Sequence, residues 1–380
     1  MRAVDAVNSA LEAHTGRLHS WLVGEPFFEP PAVLVDALNR AASAGVYGYP
    51  PHDGLQALRE ILAARHRSEG HPTSPEQVVV TAGAKGGLLA LLAALLEPGD
   101  ELVHPQPCYP AYPAIARRLG ACGVAVTERD GCFSGWPQAV AETIGPRTRA
   151  VVLASPSNPT GATLESEVAG TLVELCRDRG IRLICDEAYS DFRFAPEGQT
   201  LPAAFDGDRT TVVQVRSASK SWALCGWRVG WVTADVDLAR RVARTHASLL
   251  NPASGPAQAA LCSLPEVQAD YLDDARSMVA NRTNELCSAL ESAGCHTRRP
   301  DGGFYLWLDV LHLVEASGAS DLLRWSVELA ERCGIGLWPG EDFGGQNHVR
   351  IAVTAPTHAD WPAAVDGLVR AVASPSRKRA

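Results

Sequence analysis

A run rich in β-branched residues, Thr211-Val212-Val213-Gln214-Val215, leads into Arg216-Ser217-Ala218-Ser219-Lys220, so a primary amine stands just beyond a buried strand. An ammonium is expensive to bury without partners. Lys220 therefore has two readings. A lone lysine is more often a surface loop residue; it can also be an amine whose pKa is lowered until it forms a Schiff base. Asp186 and Glu187 follow the run Arg182-Leu183-Ile184-Cys185 in the same way and precede Ala188-Tyr189. Such a carboxylate could cap a helix. It could also lie against a cationic ring nitrogen and hold its proton, as a pyridine cofactor acting as electron sink requires.

Two further segments carry polar groups at strand ends. Ser155-Pro156-Ser157-Asn158-Pro159-Thr160-Gly161 follows Ala150-Val151-Val152-Leu153. It reads as a rigid turn, and a fixed Asn158 could offer its amide to a ring hydroxyl or a carboxylate. Thr81-Ala82-Gly83-Ala84-Lys85-Gly86-Gly87 joins a strand to a helix, and free N–H groups at a helix start suit a phosphate. It matches neither the P-loop nor the dinucleotide glycine pattern.

The elements that must position these groups alternate. Val78-Val79-Val80-Thr81 reads as a buried strand, 86–96 as a helix, and Glu101-Leu102-Val103 as the next strand. Residues 150–153, an amphipathic stretch over 165–179, 182–185 and 211–215 continue the pattern. Strand–helix–strand spacing predicts a mostly parallel sheet covered by helices, with ligands at the carboxyl ends of the strands. Helical periodicity runs from 238 to 293, broken by Pro252 and Pro256, and a second α/β unit has strands near 303–309, 336–338 and 349–353. The expected division is an N-terminal arm over 1–45 that partly joins the small domain, a large domain over 46–265 and a small domain over 266–380. The end 374–380, with Arg377, Lys378 and Arg379, reads as a solvated tail.

Composition bounds the possibilities. Of 380 residues, 46% are hydrophobic and 20% charged, a globular balance that excludes collagen, coiled coil and disorder. The net charge of −9 disfavours nucleic acid and anionic membranes as partners. None of the ten cysteines forms a C-x-x-C pair, so no structural metal is expected, and they read as thiols of a reducing compartment. Asp5, Glu12 and Glu25 interrupt the first thirty residues, and the strongly apolar run at 88–96 is too short for a bilayer that needs about 20 residues. A cytoplasmic protein is expected.

Taken together, the motifs resemble the class I/II aminotransferase family of fold-type I pyridoxal-phosphate enzymes, the aspartate aminotransferase superfamily. In family order they are Gly24-Glu25-Pro26, 49–54 with Leu58-Arg59, the loop 83–87, Pro107-Cys108-Tyr109, Asn158-Pro159-Thr160-Gly161, and Asp186-Glu187-Ala188-Tyr189. Then come Ser217-Ala218-Ser219-Lys220, Gly226-Trp227-Arg228-Val229-Gly230, Gly302-Gly303-Phe304-Tyr305, the run 339–344 and Val349-Arg350-Ile351. They span 24 to 351. The resemblance implies a three-layer α/β/α large domain with a mostly parallel sheet, plus a smaller α/β domain.

The same resemblance implies roles. Lys220 would hold pyridoxal phosphate as a Schiff base and then move the substrate proton, with pyridoxamine phosphate as amino-group carrier. Asp186 would pair with the ring nitrogen, Tyr189 and Asn158 with the ring oxygen, and Tyr109 would stack where Trp is more usual. Ala84, Lys85, Gly86, Ser217 and Arg228 would surround the phosphate. Tyr49, in preference to Tyr47, would reach the phosphate of a neighbouring subunit, which makes a homodimer with shared active sites. Arg350 would clamp the substrate α-carboxylate by a bidentate pair, beside Gly24 on a segment able to cover the site and near Asn158. The alternative for Arg350 is a surface arginine on an edge strand.

Departures from the family pattern fall on the phosphate loop, which lacks the usual Gln, and on Phe27 and Phe28, expected near the substrate entrance. The implied reaction is transfer of an amino group from an L-amino acid to a 2-oxo acid. The same scaffold also serves lyases, decarboxylases and oxidases. A serine–lysine hydrolase built on Ser217 and Lys220 lacks the accompanying S-D-N and K-T-G tripeptides. A noncatalytic sensor domain is opposed by the intact set Lys220, Asp186 and Arg350.

Overall fold

The computed structural model describes residues 2–46, 48–127, 133–195, 209–357 and 359–373. Tyr47 and the tail 374–380 lie outside them. The chain opens with α1 (Ala3–Ala13), β1 (His19–Ser20), α2 (Ala32–Ser43) and α3 (Gln56–Ser68). The central stretch begins with β2 (Val78–Thr81), α4 (Gly83–Leu95), β3 (Glu101–Gln106), α5 (Ala111–Arg118), β4 (Cys122–Thr127) and α6 (Trp136–Thr143). It continues through β5 (Thr148–Ala154), α7 (Ser166–Arg179), β6 (Arg182–Asp186), β7 (Val212–Ser217), α8 (Ala218–Ser221), β8 (Gly230–Thr233) and α9 (Val236–Leu250). Next come α10 (Gly255–Leu261), α11 (Tyr271–Ser292), β9 (Tyr305–Asp309), α12 (Leu311–Ser317) and α13 (Leu322–Cys333). The last elements are β10 (Ile335–Gly336), β11 (Trp338–Pro339), β12 (His348–Ala352) and α14 (Trp361–Ala373).

Seven strands form one sheet in the order β2-β8-β7-β6-β5-β3-β4. All its pairings are parallel except those of β8, which runs against both β2 and β7. Alternation along the strands sorts side chains into two cores. Ala150, Val152, Ile184, Val213 and Val215 join Leu88, Leu91, Leu238 and Val242 from α4 and α9. Their neighbours Val151, Leu153, Leu183 and Val212 face Trp136, Val140, Leu172 and Cys176 from α6 and α7. A strand buried on both faces must read as a continuous apolar run, which is why β2, β5 and β7 are legible. Each fully buried Val or Leu contributes about 1.5–3 kcal/mol. The result is the expected three-layer arrangement around a mostly parallel sheet.

The second sheet has the order β11-β12-β9, all antiparallel. Leu306, Leu308 and Ile351 from it pack with Val279 and Leu286 of α11 and Leu368 of α14. The N-terminal segment belongs to this body. Val4, Val7 and Leu11 of α1 form a core with Ala330 of α13, and β1 pairs with β10 in parallel.

Some elements depart from expectation. The helix expected at 86–96 begins at Gly83. The loop's glycines are weak helix formers, but the Leu/Ala run behind them propagates back through it. β4 is largely exposed and carries small residues, so it gives no buried-strand signal. β12, read as a possible edge, is the middle strand of its sheet.

Gly230 begins β8 where three backbones converge. A Cβ there would lie 2.6 Å from both the Ala84 amide nitrogen and the Arg216 carbonyl oxygen. Neither atom is the end of a flexible side chain, so one of the backbones must move. Gly230→Ala is expected to cost about 1–3 kcal/mol of stability, measured as a lower urea midpoint. An unchanged midpoint would contradict this packing.

Candidate active site

β2, β5, β6 and β7 end at one edge of the sheet, and β8, because it runs the other way, begins there. The segments that follow β2, β5, β6 and β7, and the one that precedes β8, therefore meet. They enclose a cavity of about 390 Å³. Asn158, Asp186, Ser217, Lys220 and Arg228 line it from these strand ends, with Ala84 and Lys85 from the start of α4. Gly24, Tyr109, Tyr189 and Arg350 line it too, so that of the residues expected at the site only Gly86 and Tyr49 are absent from the lining.

Asp186 is buried to 6% exposure at the end of β6. Its Oδ2 accepts a hydrogen bond from the Tyr112 hydroxyl at 2.8 Å, and its Oδ1 accepts one from the Ala188 amide at 3.1 Å. Both donors are neutral. Burial pushes its pKa up to about 6, against the two hydrogen bonds that pull it down. Glu187, the next residue, shows the opposite outcome. Burial would raise it as well, but the Arg216 guanidinium 2.5 Å away and the Gln214 amide outweigh that and lower it. Of two adjacent buried carboxylates, one is neutralised inside the fold. Among the described residues, no cation pairs with the other.

Lys220 sits on the short α8, whose first turn is capped by Ser217 Oγ accepting from the Ser219 amide at 3.1 Å. Ser221 donates to Asp191 Oδ2 at 2.5 Å, and Asp191 pairs with Arg65 at 2.6 Å, so α8 is anchored on the side away from the cavity. Lys220 Nζ donates to the Gly24 carbonyl at 2.6 Å and lies 3.7 Å from Cys225 Sγ. Arg228 is in the left-handed region at φ 55°. A bulky residue held there is strained. Its Nη1 donates to the Cys225 carbonyl at 2.9 Å, and a Cβ on Gly83 would stand 2.6 Å from its Nη2. Only glycine at 83, itself at φ 73°, lets the guanidinium lie against the start of α4.

Arg350 is 3% exposed. Three rings surround its Cζ: Tyr305 at 4.1 Å, Trp338 at 4.3 Å and Phe343 at 4.9 Å. Nη1 donates to Asn158 Oδ1 at 3.1 Å and Nη2 to the Leu22 carbonyl, while Nε has no hydrogen-bond partner among the described residues. Burial lowers its pKa, but a guanidinium stays charged, so the group is held ready for an anion. Trp338 is itself fixed, its Nε1 donating to Asp342 Oδ2 at 2.9 Å. Asp342 also accepts the Ala3 and Val4 amides at the start of α1, each at 3.0 Å.

Several expectations change. Gly86 does not line the cavity; a Cβ there would instead meet Leu250 and Ala82. Phe27 and Phe28, expected near the entrance, are not among the residues that line the cavity. Phe28 is in the small-sheet core against Phe192, and Phe27 lies against the Arg282 guanidinium at 3.4 Å. Tyr49 is 84% exposed and outside the cavity of its own chain. Tyr112, Tyr305 and Trp338 line the site and were not given roles from sequence. The spacing Tyr109–Tyr112 at the start of a helix was the available signal for the first.

The sheet edge thus gathers an amine, a carboxylate with neutral partners and two buried or constrained guanidinium groups, a set suited to small anions. Comparison with known proteins names the kind. The family described as aminotransferase class I and II matches residues 19–368. An arginine–pyruvate transaminase of Pseudomonas aeruginosa is 34% identical over 339 residues, 87% of this chain and 84% of that protein. An aspartate/prephenate aminotransferase of Thermus thermophilus is 32% identical over 355 residues, 92% and 90% of the two chains. A solved double mutant of Thermus thermophilus aspartate aminotransferase superposes with a TM-score of 0.90 at 30% identity, covering 98% and 97%. The chain belongs to the class I and II aminotransferase family, whose chemistry depends on pyridoxal phosphate.

The raised Asp186 pKa has a consequence for the cofactor-free chain. A carboxyl that titrates near 6 when folded and near 3.9 when unfolded binds more protons in the folded state between those values. Its contribution to stability is therefore fully present below about pH 4 and is lost as pH rises through about 6. Asp186→Asn should flatten the unfolding free energy over that window. Chemical denaturation from pH 4 to 7 checks it, and an unchanged slope would count against the burial argument.

Proposed function

We propose that this aminotransferase moves the amino group of an L-amino acid to a 2-oxo acid, with Lys220 as the amine that holds pyridoxal 5′-phosphate. The observation that carries the reading is that Lys220, Asp186 and Arg350 face one cavity. The residues fit the group. Asp186 is a buried carboxylate whose protein partners are neutral, which suits a cationic ring nitrogen. Lys85, Lys220, Arg228 and the uncovered amides at the start of α4 suit a phosphate. The Nε of buried Arg350, without a hydrogen-bond partner among the described residues, suits a second anion.

When bound, pyridoxal phosphate supplies a carbonyl that condenses with amines and a ring that takes up the electron pair released at a substrate Cα. The chain does the rest. Asp186 would keep the ring nitrogen protonated, because a carboxylate desolvated to this degree gains most from a cation beside it. Tyr189 would donate to the ring oxygen with support from Asn158, and Tyr109 would cover the ring. Ala84, Lys85, Ser217 and Arg228 would hold the phosphate. Arg350 would bind the substrate α-carboxylate and so set the orientation of Cα, beside Gly24. Lys220 Nζ would carry the proton from and to the substrate Cα. The donors named for the relatives, arginine and aspartate, differ in side chain and share the groups that Lys220 and Arg350 address.

We read the protein as a cytoplasmic homodimer. Among the described residues no helix is long and apolar enough to cross a membrane, and the cysteines form no disulfide. The exposure of Tyr49 supports a role outside its own chain, at a neighbouring subunit's phosphate. We divide the chain as the sequence suggested, at about 45 and 265.

Lys220→Ala is expected to lower kcat about ten-thousand-fold. Arg350→Lys should raise KM for both donor and acceptor about tenfold or more, since an ammonium cannot make the bidentate pair. Steady-state kinetics with several amino acids against pyruvate, 2-oxoglutarate and oxaloacetate test both. Full turnover by Lys220→Ala would overturn the reading.

A further inference from the structure

Tyr305 touches three parts of the site at once. Its ring lies 4.1 Å from the Arg350 Cζ, so it forms one wall of the carboxylate clamp. Its hydroxyl is 2.7 Å from the Tyr189 hydroxyl. It also packs so tightly against Gly24 that a Cβ there would lie 2.4 Å from the phenolic oxygen. The residue is 4% exposed, and Tyr189 packs edge-on against it and against Phe304.

Each phenol has a single proton. If Tyr189 gives its proton to the ring oxygen of the cofactor, the 2.7 Å bond can be completed only with Tyr305 as donor and Tyr189 as acceptor. We propose that Tyr305 is a positioning residue with two separable duties: its hydroxyl polarises Tyr189 toward the cofactor ring oxygen, and its ring holds the Arg350 guanidinium in plane for the substrate carboxylate. This rests on the assignment of Tyr189 proposed above. A donor feeding a donor strengthens the second bond, so the anionic form of the ring oxygen is favoured through Tyr189. Gly24 is required beside it because any side chain there would displace the phenol and both its contacts.

The two duties come apart in two variants of the holoenzyme. Tyr305→Phe keeps the ring and loses the hydroxyl. The midpoint of the pH titration of the bound cofactor's visible absorption should rise by about 0.5 unit or more, while KM for donor and acceptor stays within about twofold of wild type. Tyr305→Leu should show the same rise and, in addition, a KM about tenfold higher for both substrates. A Tyr305→Phe midpoint equal to wild type, or lower, would overturn the proposal, as would a Tyr305→Leu enzyme with wild-type KM. Failure of the underlying reading looks different: Lys220→Ala would then keep the visible band of the wild-type holoenzyme.

Discussion

The site depends on one unresolved charge. Asp186 lies at the end of a central strand of a sheet covered on both faces, where little water reaches it and, among the described residues, no cation pairs with it. Leaving a carboxylate there costs free energy in the empty protein. Glu187 shows that the fold could have supplied a guanidinium, because it does so one residue later through Arg216. The difference between these neighbours is what supports the proposed pairing of Asp186 with a cation from outside the chain. Around it the other groups take their positions: an amine across the cavity, guanidinium groups at its ends and phenols along its wall.

Sheet direction explains why these groups meet. Parallel strands deliver their following loops to one edge, so residues distant in sequence share a surface. β8 breaks the parallel pattern, and the break is useful. Its reversal brings the segment before it, with Arg228, to the edge that β2 and β7 reach by ending. The close approach is possible because Gly83 and Gly230 carry no side chain. The Arg228 guanidinium is tied back to the Cys225 carbonyl of the same short segment.

Much of this was legible in the sequence. Strands buried on both faces announce themselves as apolar runs, and Asp186, Asn158, Ser217 and Lys220 stand just past those runs. Arg350 was legible only through its motif, because a Val-Arg-Ile triplet does not say whether its strand is central or at an edge. Tyr112, Tyr305 and Trp338 were not assigned roles. Each acts by a contact with a residue far off in sequence, and neither periodicity nor spacing records such a contact. Phe27 and Phe28 were misplaced for the converse reason. An aromatic pair near a functional glycine reads as a pocket wall, while tertiary packing took one into the small-sheet core and the other onto Arg282.

Asp342 carries a consequence for the N-terminal segment. It accepts two amides from the start of α1 and, with the same carboxylate, fixes the indole that forms one wall around Arg350. The docking of that helix and the proposed capture of a carboxylate by Arg350 thus lean on one shared element. By thermodynamic reciprocity, whatever free energy the docked helix lends to anion binding, a bound anion must return to the docking of the helix. Helix α1 and the rings around Arg350 are in this way joined through a single carboxylate.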